Sequence, residues 1–349
     1  MAHCPRRSFL NHWPSSAIGD DNHHVGGVNR GAHARVACDT TADDDTTDMR
    51  KTPRLTLLLL SLAALVAMPG AGAQQRLRQL IEQRREAKAS AALPAGTRVE
   101  RDIAYGADPA QRYDVYLPAH AKPNAPILFM VHGGGWRRGD KAYANVVEHK
   151  AAHWLSKGYV FVSANNRLLP QADPLQQARD VAAAVASMQK RARQWRADPQ
   201  RLVLMGHSAG AHLVALLGAS PALLAQAGAT RPLGVVALDS AAMDVPALMA
   251  KPRHPRLYDD AFGSDPAFWR AASPYQQLGR DGLPMLIVCS SQRRDSCPRG
   301  DALKARAAGL GVPMQVLPED LSHGEINQQL GKPSAYTRAV SDWIDRLLN

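Results

Sequence analysis

Short apolar runs alternate with amphipathic stretches along most of the chain after residue 97. Eight of these runs are rich in branched and aromatic residues and predict β-strands, and several are apolar throughout, as strands buried on both faces of a sheet must be. The predicted strands are Arg98–Tyr105, Tyr113–Leu117, Ile127–Val131, Tyr159–Ala164, Arg201–Met205, Gly234–Leu238, Met285–Val288 and Met314–Leu317.

Between the predicted strands, apolar residues recur at helical spacing. The predicted helices are Ala142–Lys157, Gln176–Trp195, Ala209–Leu217, Asp301–Ala308 and Ser334–Leu348. Alternating strands and helices predict an α/β fold, with a mostly parallel eight-stranded sheet flanked by helices. The stretch Asp244–Leu278 holds several prolines and fits neither pattern. We interpret it as a small insertion over the active-site end of the sheet.

The segment that starts at Met49 has the order of a secretory signal peptide. Basic residues come first, an apolar run over residues 55–68 follows, and after a Pro-Gly break the small residues Ala71 and Ala73 mark a cleavage site. A transmembrane anchor is the alternative, but the run is shorter than the ~20 apolar residues that a span requires. We therefore expect a secreted or periplasmic protein, cleaved after Ala73.

This signal divides the chain. Residues 1–48 are rich in His, Asp, Gly and Thr without a periodic apolar pattern, and we interpret them as an upstream extension before a true start at Met49. A genuine disordered extension is the alternative. Residues 49–73 are the predicted signal, 74–97 a short amino-terminal helical segment, and 98–349 one catalytic domain, a size that suits a single α/β core.

Charge and cysteine content narrow the function classes. The formal net charge is +11 at pH 7, which permits attraction to anionic surfaces, but no basic run is interleaved with aromatic residues, so nucleic-acid binding is not expected. Cys4 and Cys38 fall in the segment that is removed. Cys289 and Cys297 remain, and in an oxidising compartment we expect them to bond to each other. The alternative, a metal site, lacks further Cys or His at ligand spacing nearby.

The sequence "RLVLMGHSAGAHLVALLG" places Gly206-His207-Ser208-Ala209-Gly210 between a predicted strand and a predicted helix. This setting is typical of a nucleophile elbow, in which a serine sits on a sharp strand-to-helix turn. Glycines are needed there because larger side chains would collide with neighbouring backbone. The five-residue motif arises by chance in many chains, so the flanking strand and helix carry the prediction.

A second motif, His132-Gly133-Gly134-Gly135-Trp136, directly follows the strand Ile127–Val131. Glycines let backbone amides approach a substrate closely, and such amides stabilise the negative oxygen of a tetrahedral intermediate. A glycine-rich turn without a ligand is the alternative. A phosphate-binding loop is disfavoured because no G-K-[ST] follows.

A serine nucleophile requires a general base and an orienting carboxylate, which in this fold follow in the order Ser, Asp or Glu, His. His323 lies just after the last predicted strand, on a predicted loop, and is the predicted base. His212 lies inside the helix after Ser208, where packing against that helix is expected. His254 belongs to the insertion.

For the acid, we predict Asp295, because it follows the strand Met285–Val288 at the carboxyl end of the sheet, where catalytic groups gather. A Cys289–Cys297 bond would then close the loop that holds it. Two alternatives are Asp239, which lies one strand too early, and Asp320, which is too close in sequence to His323.

These motifs resemble the esterase/lipase branch of the α/β-hydrolase superfamily, which contains hormone-sensitive-lipase-like carboxylesterases and arylformamidase-like enzymes. The resemblance runs from about Val99 to Asn349 and rests on "VHGGGWRRGDK", "DPQRLVLMGHSAGAHL" and "LSHGEIN". It implies that Ser208 is nucleophile, Asp295 acid and His323 base. The oxyanion amides that it implies are those of Gly134, Gly135 and Ala209. It further implies hydrolysis without a metal ion or organic cofactor.

The sequence thus predicts an exported serine carboxylesterase that acts on small to medium esters through an acyl-enzyme. An arylformamidase-like amidohydrolase is one alternative. A catalytically silent hydrolase-fold binding protein is another, which is disfavoured because candidates for the whole triad are present. We expect a small-molecule ester as partner and no stable membrane span after processing. Oligomeric state is left open.

Overall fold

An eight-stranded sheet organises the part of the chain that the computed structural model describes, residue 80 and residues 92–349. Every predicted strand is present, with its bounds moved by a few residues at most. The strands are β1 (Arg98–Ala104), β2 (Arg112–Leu117), β3 (Ala125–Val131), β4 (Val160–Ala164), β5 (Ala197–His207), β6 (Gly234–Leu238), β7 (Met285–Ser290) and β8 (Met314–Glu319).

The sheet has the strand order β1-β2-β4-β3-β5-β6-β7-β8. Strand β2 is antiparallel to both of its neighbours, and every other pair is parallel. This confirms the predicted α/β-hydrolase fold with a mostly parallel sheet. Consecutive residues of β3 pack into different cores, Phe129 on one face and Leu128 and Met130 on the other. Helices cover both faces, which explains why the central strands β3, β4, β6 and β7 are almost entirely apolar.

Eleven α-helices occur among the described residues 92–349, and they include all five predicted ones. Helix α9 begins five residues earlier than predicted. Pro298 does not prevent this earlier start, because it lies in the first turn of the helix, where proline is tolerated. The helices are α1 (Ala144–Ser156), α2 (Pro174–Arg191), α3 (Ala209–Ala219), α4 (Ala222–Gln226), α5 (Val245–Met249), α6 (Leu257–Phe262), α7 (Pro266–Ala271), α8 (Pro274–Gln277), α9 (Ser296–Leu310), α10 (His323–Gln329) and α11 (Ala335–Leu348).

The insertion Asp244–Leu278 is helical, although its sequence predicted no regular element. It contains α5 to α8, and three of these four helices begin with a proline in the first two positions. The N-cap residues of these three helices, Asp244, Asp265 and Ser273, accept hydrogen bonds from backbone N–H groups of the first turn. Proline and a capping side chain are both favoured at a helix start. Three of the five prolines of this segment, Pro246, Pro266 and Pro274, therefore lie at helix starts instead of interrupting helices.

The predicted extension (residues 1–48), the predicted signal peptide (residues 49–73) and most of the segment 74–97 lie outside the described residues. Residues 92–349 fall within one compact unit of the chain. Among the described residues, no helix combines the length and the apolar character needed to cross a membrane.

Candidate active site

The turn between β5 and α3 presents Ser208. Its backbone has φ 57° and ψ −115°, a strained conformation for a residue with a side chain. A Cβ atom on Gly206 would lie 2.3 Å from the carbonyl oxygen of Gly210, and one on Gly210 would lie 2.4 Å from that of Val131. Both glycines of the motif are therefore required by close backbone contacts, and the turn holds the Ser208 hydroxyl out toward a cavity.

Ser208 and His323 lie together, as their predicted roles require. The Oγ atom of Ser208 is 2.9 Å from Nε2 of His323. His323 is the first residue of α10, not a loop residue as predicted. Ser322 and Glu325 form a capping box at the start of this helix, and the S-x-x-E spacing that signals it was present in the sequence. The capped helix fixes the backbone that carries the imidazole.

Asp239 is the carboxylate that contacts the histidine: its Oδ2 atom is 2.5 Å from Nδ1 of His323. The prediction that Asp295 orients His323 is wrong. Asp295 immediately precedes α9, and its Oδ2 atom accepts a hydrogen bond from Lys251 Nζ at 2.7 Å. Its side chain is 44% exposed, whereas that of Asp239 is fully buried.

Strand pairing explains why an acid on β6 reaches His323. Strands β6 and β7 are adjacent and parallel, with Leu238 opposite Val288, so their carboxyl ends meet at one edge of the sheet. The Asp239 N–H donates to the Val288 carbonyl at 2.8 Å. Asp239 therefore follows β6, one strand before the strand expected to carry the acid, but in space it lies beside the end of β7.

Four donors surround the Asp239 carboxylate. His323 and Arg293 Nη1 donate to Oδ2, Arg293 at 2.7 Å, while the Ser290 N–H at 3.0 Å and the Ser296 hydroxyl donate to Oδ1. Burial alone raises the pKa of this carboxyl group, but the hydrogen bonds and the Arg293 charge outweigh burial and hold the pKa well below its ordinary value. Asp239 is therefore ionised at neutral pH.

Cys289 and Cys297 form the predicted disulfide, with an S–S distance of 2.10 Å. The closed loop contains Ser290, Arg293 and Ser296, which are three of the four groups that contact Asp239. The loop also contains Asp295, the residue that we predicted to be the triad acid held by this disulfide. Among the described residues, no group of three or more His, Cys, Asp or Glu side chains is arranged to hold a metal ion.

The glycine-rich loop after β3 runs directly past the nucleophile. A Cβ atom on Gly133 would lie 3.0 Å from Cβ of Ser208. Gly134 and Gly135 have φ values of 128° and 62°, which side chains rarely adopt, and a Cβ on Gly134 would lie 1.8 Å from the carbonyl oxygen of Arg138. Gly134, Gly135 and Ala209 line the same cavity as Ser208. Their role as oxyanion donors stays a prediction.

Two buried histidines, His207 and His212, lie close to Ser208 in sequence and are neutral. His212 packs away from Ser208, as expected: its Nε2 atom donates to the Ala272 carbonyl at 2.7 Å, and burial lowers its pKa to about 4. His207 Nε2 donates to the His323 carbonyl at 2.9 Å, and burial together with His323 lowers its pKa to about 3. His207 occupies one of the two variable positions of the elbow motif, so nothing in the motif singles it out.

The cavity beside Ser208 has a volume of about 790 Å³. Residues 255–258 of the insertion contribute one wall, and Trp136 and Arg293 also line it. Leu257 is 41% exposed there, and its side chain reaches to 4.0 Å from the position of a Cβ on Gly135. His254 does not line the cavity; its Nε2 atom is 2.8 Å from the Asp259 carboxylate.

A model of the BD-FAE family matches residues 113–294, which is more than half of the chain. The chain belongs to the BD-FAE family. This is an esterase family of α/β-hydrolase fold. The stretch that matches BD-FAE contains Ser208 and Asp239, and His323 follows it.

Curated relatives of this BD-FAE protein carry esterase and formamidase names. A probable isoprenylcysteine alpha-carbonyl methylesterase of Arabidopsis thaliana is 30% identical over 117 residues, which are 34% of this chain and 24% of the relative. Esterase LipC of Mycobacterium tuberculosis is 30% identical over 212 residues, 55% and 50% of the two chains. A kynurenine formamidase of Danio rerio is 31% identical over 121 residues, 35% and 39%. The chain thus spans half or less of each of these relatives.

Solved structures share the fold at lower identity. A truncated carbohydrate esterase from gut microbiota superposes with a TM-score of 0.64 at 18% identity, covering 73% of this chain and 99% of the other. At this identity the likeness concerns the fold alone.

Proposed function

We propose that this BD-FAE protein is an exported serine carboxylesterase that hydrolyses small to medium esters through an acyl-enzyme. The observation that carries the proposal is the continuous chain of contacts from Ser208 through His323 to Asp239 at the edge of an open cavity. Family membership and the esterase names among the relatives support the same reaction class.

The geometry suits a two-step hydrolysis. The Nε2 atom of His323 takes the proton of Ser208 as Oγ attacks the ester carbon, and Asp239 stabilises the imidazolium through Nδ1–H. The imidazolium then protonates the departing alcohol, leaving the acyl group on Ser208. A water molecule attacks this acyl-enzyme with His323 again as base, which releases the carboxylic acid and restores the serine.

The glycine-rich loop and the start of α3 are placed to stabilise the oxygen that becomes negative in each step. We assign this role to the backbone N–H groups of Gly134, Gly135 and Ala209. Removing one such donor typically raises the barrier by about 3 kcal/mol.

Export rests on the sequence of residues 49–73. The Cys289–Cys297 bond supports it, because disulfides persist in oxidising compartments and are rare in the cytosol.

A formamidase is the second candidate. The kynurenine formamidase relative favours it, and His323 can protonate a departing amine as well as an alcohol. Parallel assays of an aryl ester and the matching N-formyl aryl amide distinguish the two, since the larger kcat/KM identifies the preferred bond.

The direct test is a series of 4-nitrophenyl esters of rising acyl length, assayed on the wild type and on Ser208→Ala. We expect turnover by the wild type and a loss of about 10³-fold or more in the variant. Ser156→Ala is the control, because Ser156 is exposed and its hydroxyl bonds to His153 within α1, away from the cavity. An active Ser208→Ala protein, or a wild type inactive on both esters and formamides, would refute the proposal.

A further inference from the structure

We propose that Arg293 is a positioning residue for Asp239, and that the disulfide-closed loop Cys289–Cys297 is the element that holds it there. The inference rests on the proposed function, because it assigns Asp239 to the triad. It concerns residues that take no part in bond making or breaking.

Arg293 lies in the angle between the acid and the base. Its Nη1 atom is 2.7 Å from Asp239 Oδ2, 3.4 Å from the Asp239 carbonyl oxygen and 3.0 Å from Nδ1 of His323. Since His323 must accept a proton at Nε2, its Nδ1 carries the hydrogen. The imidazole and the guanidinium therefore both donate to Oδ2, and the oxygen that orients His323 is itself oriented by Arg293.

A buried carboxylate needs this partner. The Asp239 side chain is fully buried, and a buried charge left without compensation is strongly destabilising. His323 must be neutral when the reaction begins, so at that stage it offers a hydrogen bond but no charge. Arg293 supplies the full positive charge in contact with Asp239.

The disulfide fixes the geometry of the other donors as well. Ser290 directly follows Cys289 and Ser296 directly precedes Cys297, and both donate to the same oxygen, Asp239 Oδ1. The bond between the two cysteines therefore brings together the two ends of the loop that meet at this atom. Between them, Ser291, Gln292 and Arg294 are exposed, so apolar burial contributes little to ordering the loop.

Arg293 also contacts the substrate side of the site. Its side chain and that of Tyr258, which belongs to α6, both line the cavity. Asp295, two residues further along the chain, accepts a hydrogen bond from Lys251 and also lies near the charges of Arg299 and Arg293. The other ionisable groups near the Asp239 charge are His207 and Tyr336, both buried. Arg293 thus links the triad acid to the insertion.

The first experiment compares Arg293→Gln and Arg293→Lys with Arg294→Gln, the matched control in the same closed loop. We expect Arg293→Gln to lower kcat about ten-fold or more with KM within about two-fold, since a wrongly oriented histidine costs up to ~10⁴ in rate. Arg293→Lys keeps the charge and should retain more activity. Arg294→Gln should match the wild type.

The pH profile separates positioning from general damage. Asp239 must be ionised to orient His323, and its lowered pKa keeps it ionised in mildly acidic solution. The acid limb of kcat reflects protonation of the coupled His323–Asp239 pair, because His323 must be neutral to accept the Ser208 proton. Arg293 places a positive charge beside both groups. Without that charge protonation of the pair is favoured, so we expect the acid limb to move up by about one pH unit. In Arg293→Ala, added methylguanidine should restore part of the rate. Rate loss with neither the pH shift nor the rescue would overturn the positioning role.

The loop is tested with Cys289→Ser/Cys297→Ser and by reduction and reoxidation of the wild type. Both should lower kcat and move the acid limb in the same direction as Arg293→Gln, and reoxidation should reverse the change. Wild-type rate and pH profile in the double serine variant would overturn the role of the disulfide.

A double-mutant cycle on stability distinguishes failure of this inference from failure of the proposed function. Urea unfolding is measured for Arg293→Gln, Asp239→Asn and the combined variant, and needs no activity. If Arg293 holds the Asp239 charge, Arg293→Gln should destabilise the wild type more than it destabilises Asp239→Asn. Equal effects would overturn the inference even in a fully active enzyme.

Discussion

Two aspartates compete for one role at the scale of single residues, and a pair of substitutions separates them. Asp239→Asn removes the charge that stabilises the His323 imidazolium, so we expect kcat to fall by about 10⁴-fold. Asp295→Asn removes an ion pair with Lys251 that is partly exposed, and such pairs contribute about 1 kcal/mol or less to stability. Its kcat should stay near that of the wild type.

Steady-state kinetics on one aryl ester decides between them. A large loss in Asp295→Asn with an active Asp239→Asn would restore the original prediction and contradict the structure. Circular dichroism of both variants confirms that the fold is kept.

Ser208 and His323 were predictable because local sequence specifies each of them. The glycines of the elbow motif identify Ser208 as the nucleophile. Few other histidines follow Ser208 in the sequence, so His323 was readily chosen as the base. Asp239 was not predictable in this way, because its role depends on β6 and β7 lying side by side. Arg293 was not singled out from the sequence, since no local pattern says which carboxylate an arginine contacts.

At the scale of elements, the elbow depends on close backbone contacts. One added methyl group, such as the Cβ of an alanine at Gly210, would disturb them. A Cβ on Gly210 would lie 2.4 Å from the carbonyl oxygen of Val131 and 2.5 Å from that of His132. We expect Gly210→Ala to destabilise the protein by about 1–3 kcal/mol and to lower kcat, because the glycine-rich loop and the Ser208 turn must move apart.

Thermal unfolding and kinetics test this with Gly309→Ala as the control. Gly309 lies on α9, and nothing is within 4 Å of its added Cβ. Alanine is the better helix former by up to ~1 kcal/mol, so the control should be as stable as the wild type or more stable. A Gly210→Ala protein with unchanged melting temperature and kcat would show that the contact relaxes freely.

The remaining differences between sequence and structure also concern elements. The central strands were found because burial on both faces imposes apolar runs, and the edge strands β1 and β8 were found from their shorter runs of strand-favouring residues. The helices of the insertion were missed because prolines were taken as breaks, when Pro246, Pro266 and Pro274 each start a helix. Helix α10 was missed because only two residues separate the end of β8 from its capping box, and this stretch was interpreted as a loop.

For the whole molecule, buried neutral histidines make stability depend on pH. The folded-state pKa values of His207 and His212 are about 3 and about 4, whereas an unfolded histidine titrates near 6.5. Below pH ~6.5 the unfolded chain binds protons that the folded protein excludes. Each histidine should therefore lower the free energy of unfolding by about 1.4 kcal/mol per pH unit, from pH ~6.5 down to its folded pKa.

Urea unfolding at pH 7, 6 and 5 measures this slope. We expect stability to be highest at or above pH 7 and to fall steadily toward pH 5. Replacing His212 by Gln should reduce the slope, whatever its effect on stability at pH 7. A free energy of unfolding that is flat between pH 7 and 5 would show that both histidines accept protons in the folded state.

Processing is the other property of the whole chain that we predict. Ala71 and Ala73 supply the small residues that a signal peptidase requires, so the exported protein should begin at Gln74. Amino-terminal sequencing of protein recovered from the periplasm or the medium checks this. A mature chain that retains residues before Met49 would contradict both the cleavage site and the proposed start.

The adjacency of β6 and β7 also has an evolutionary consequence. The position after β6 and the loop after β7 are about fifty residues apart in sequence, yet both lie beside His323: Asp239 contacts its Nδ1 atom, and Arg293 of the loop lies 3.0 Å from the same atom. During evolution an acid can therefore be gained at one position before it is lost at the other. The intermediate carries both acids, so no step requires an inactive enzyme. In this chain the β7 loop carries Asp295, so a search for the acid in that loop alone selects a residue that contacts Lys251 and not His323. The acid of such a protein is better sought among neighbouring strands than in a single loop.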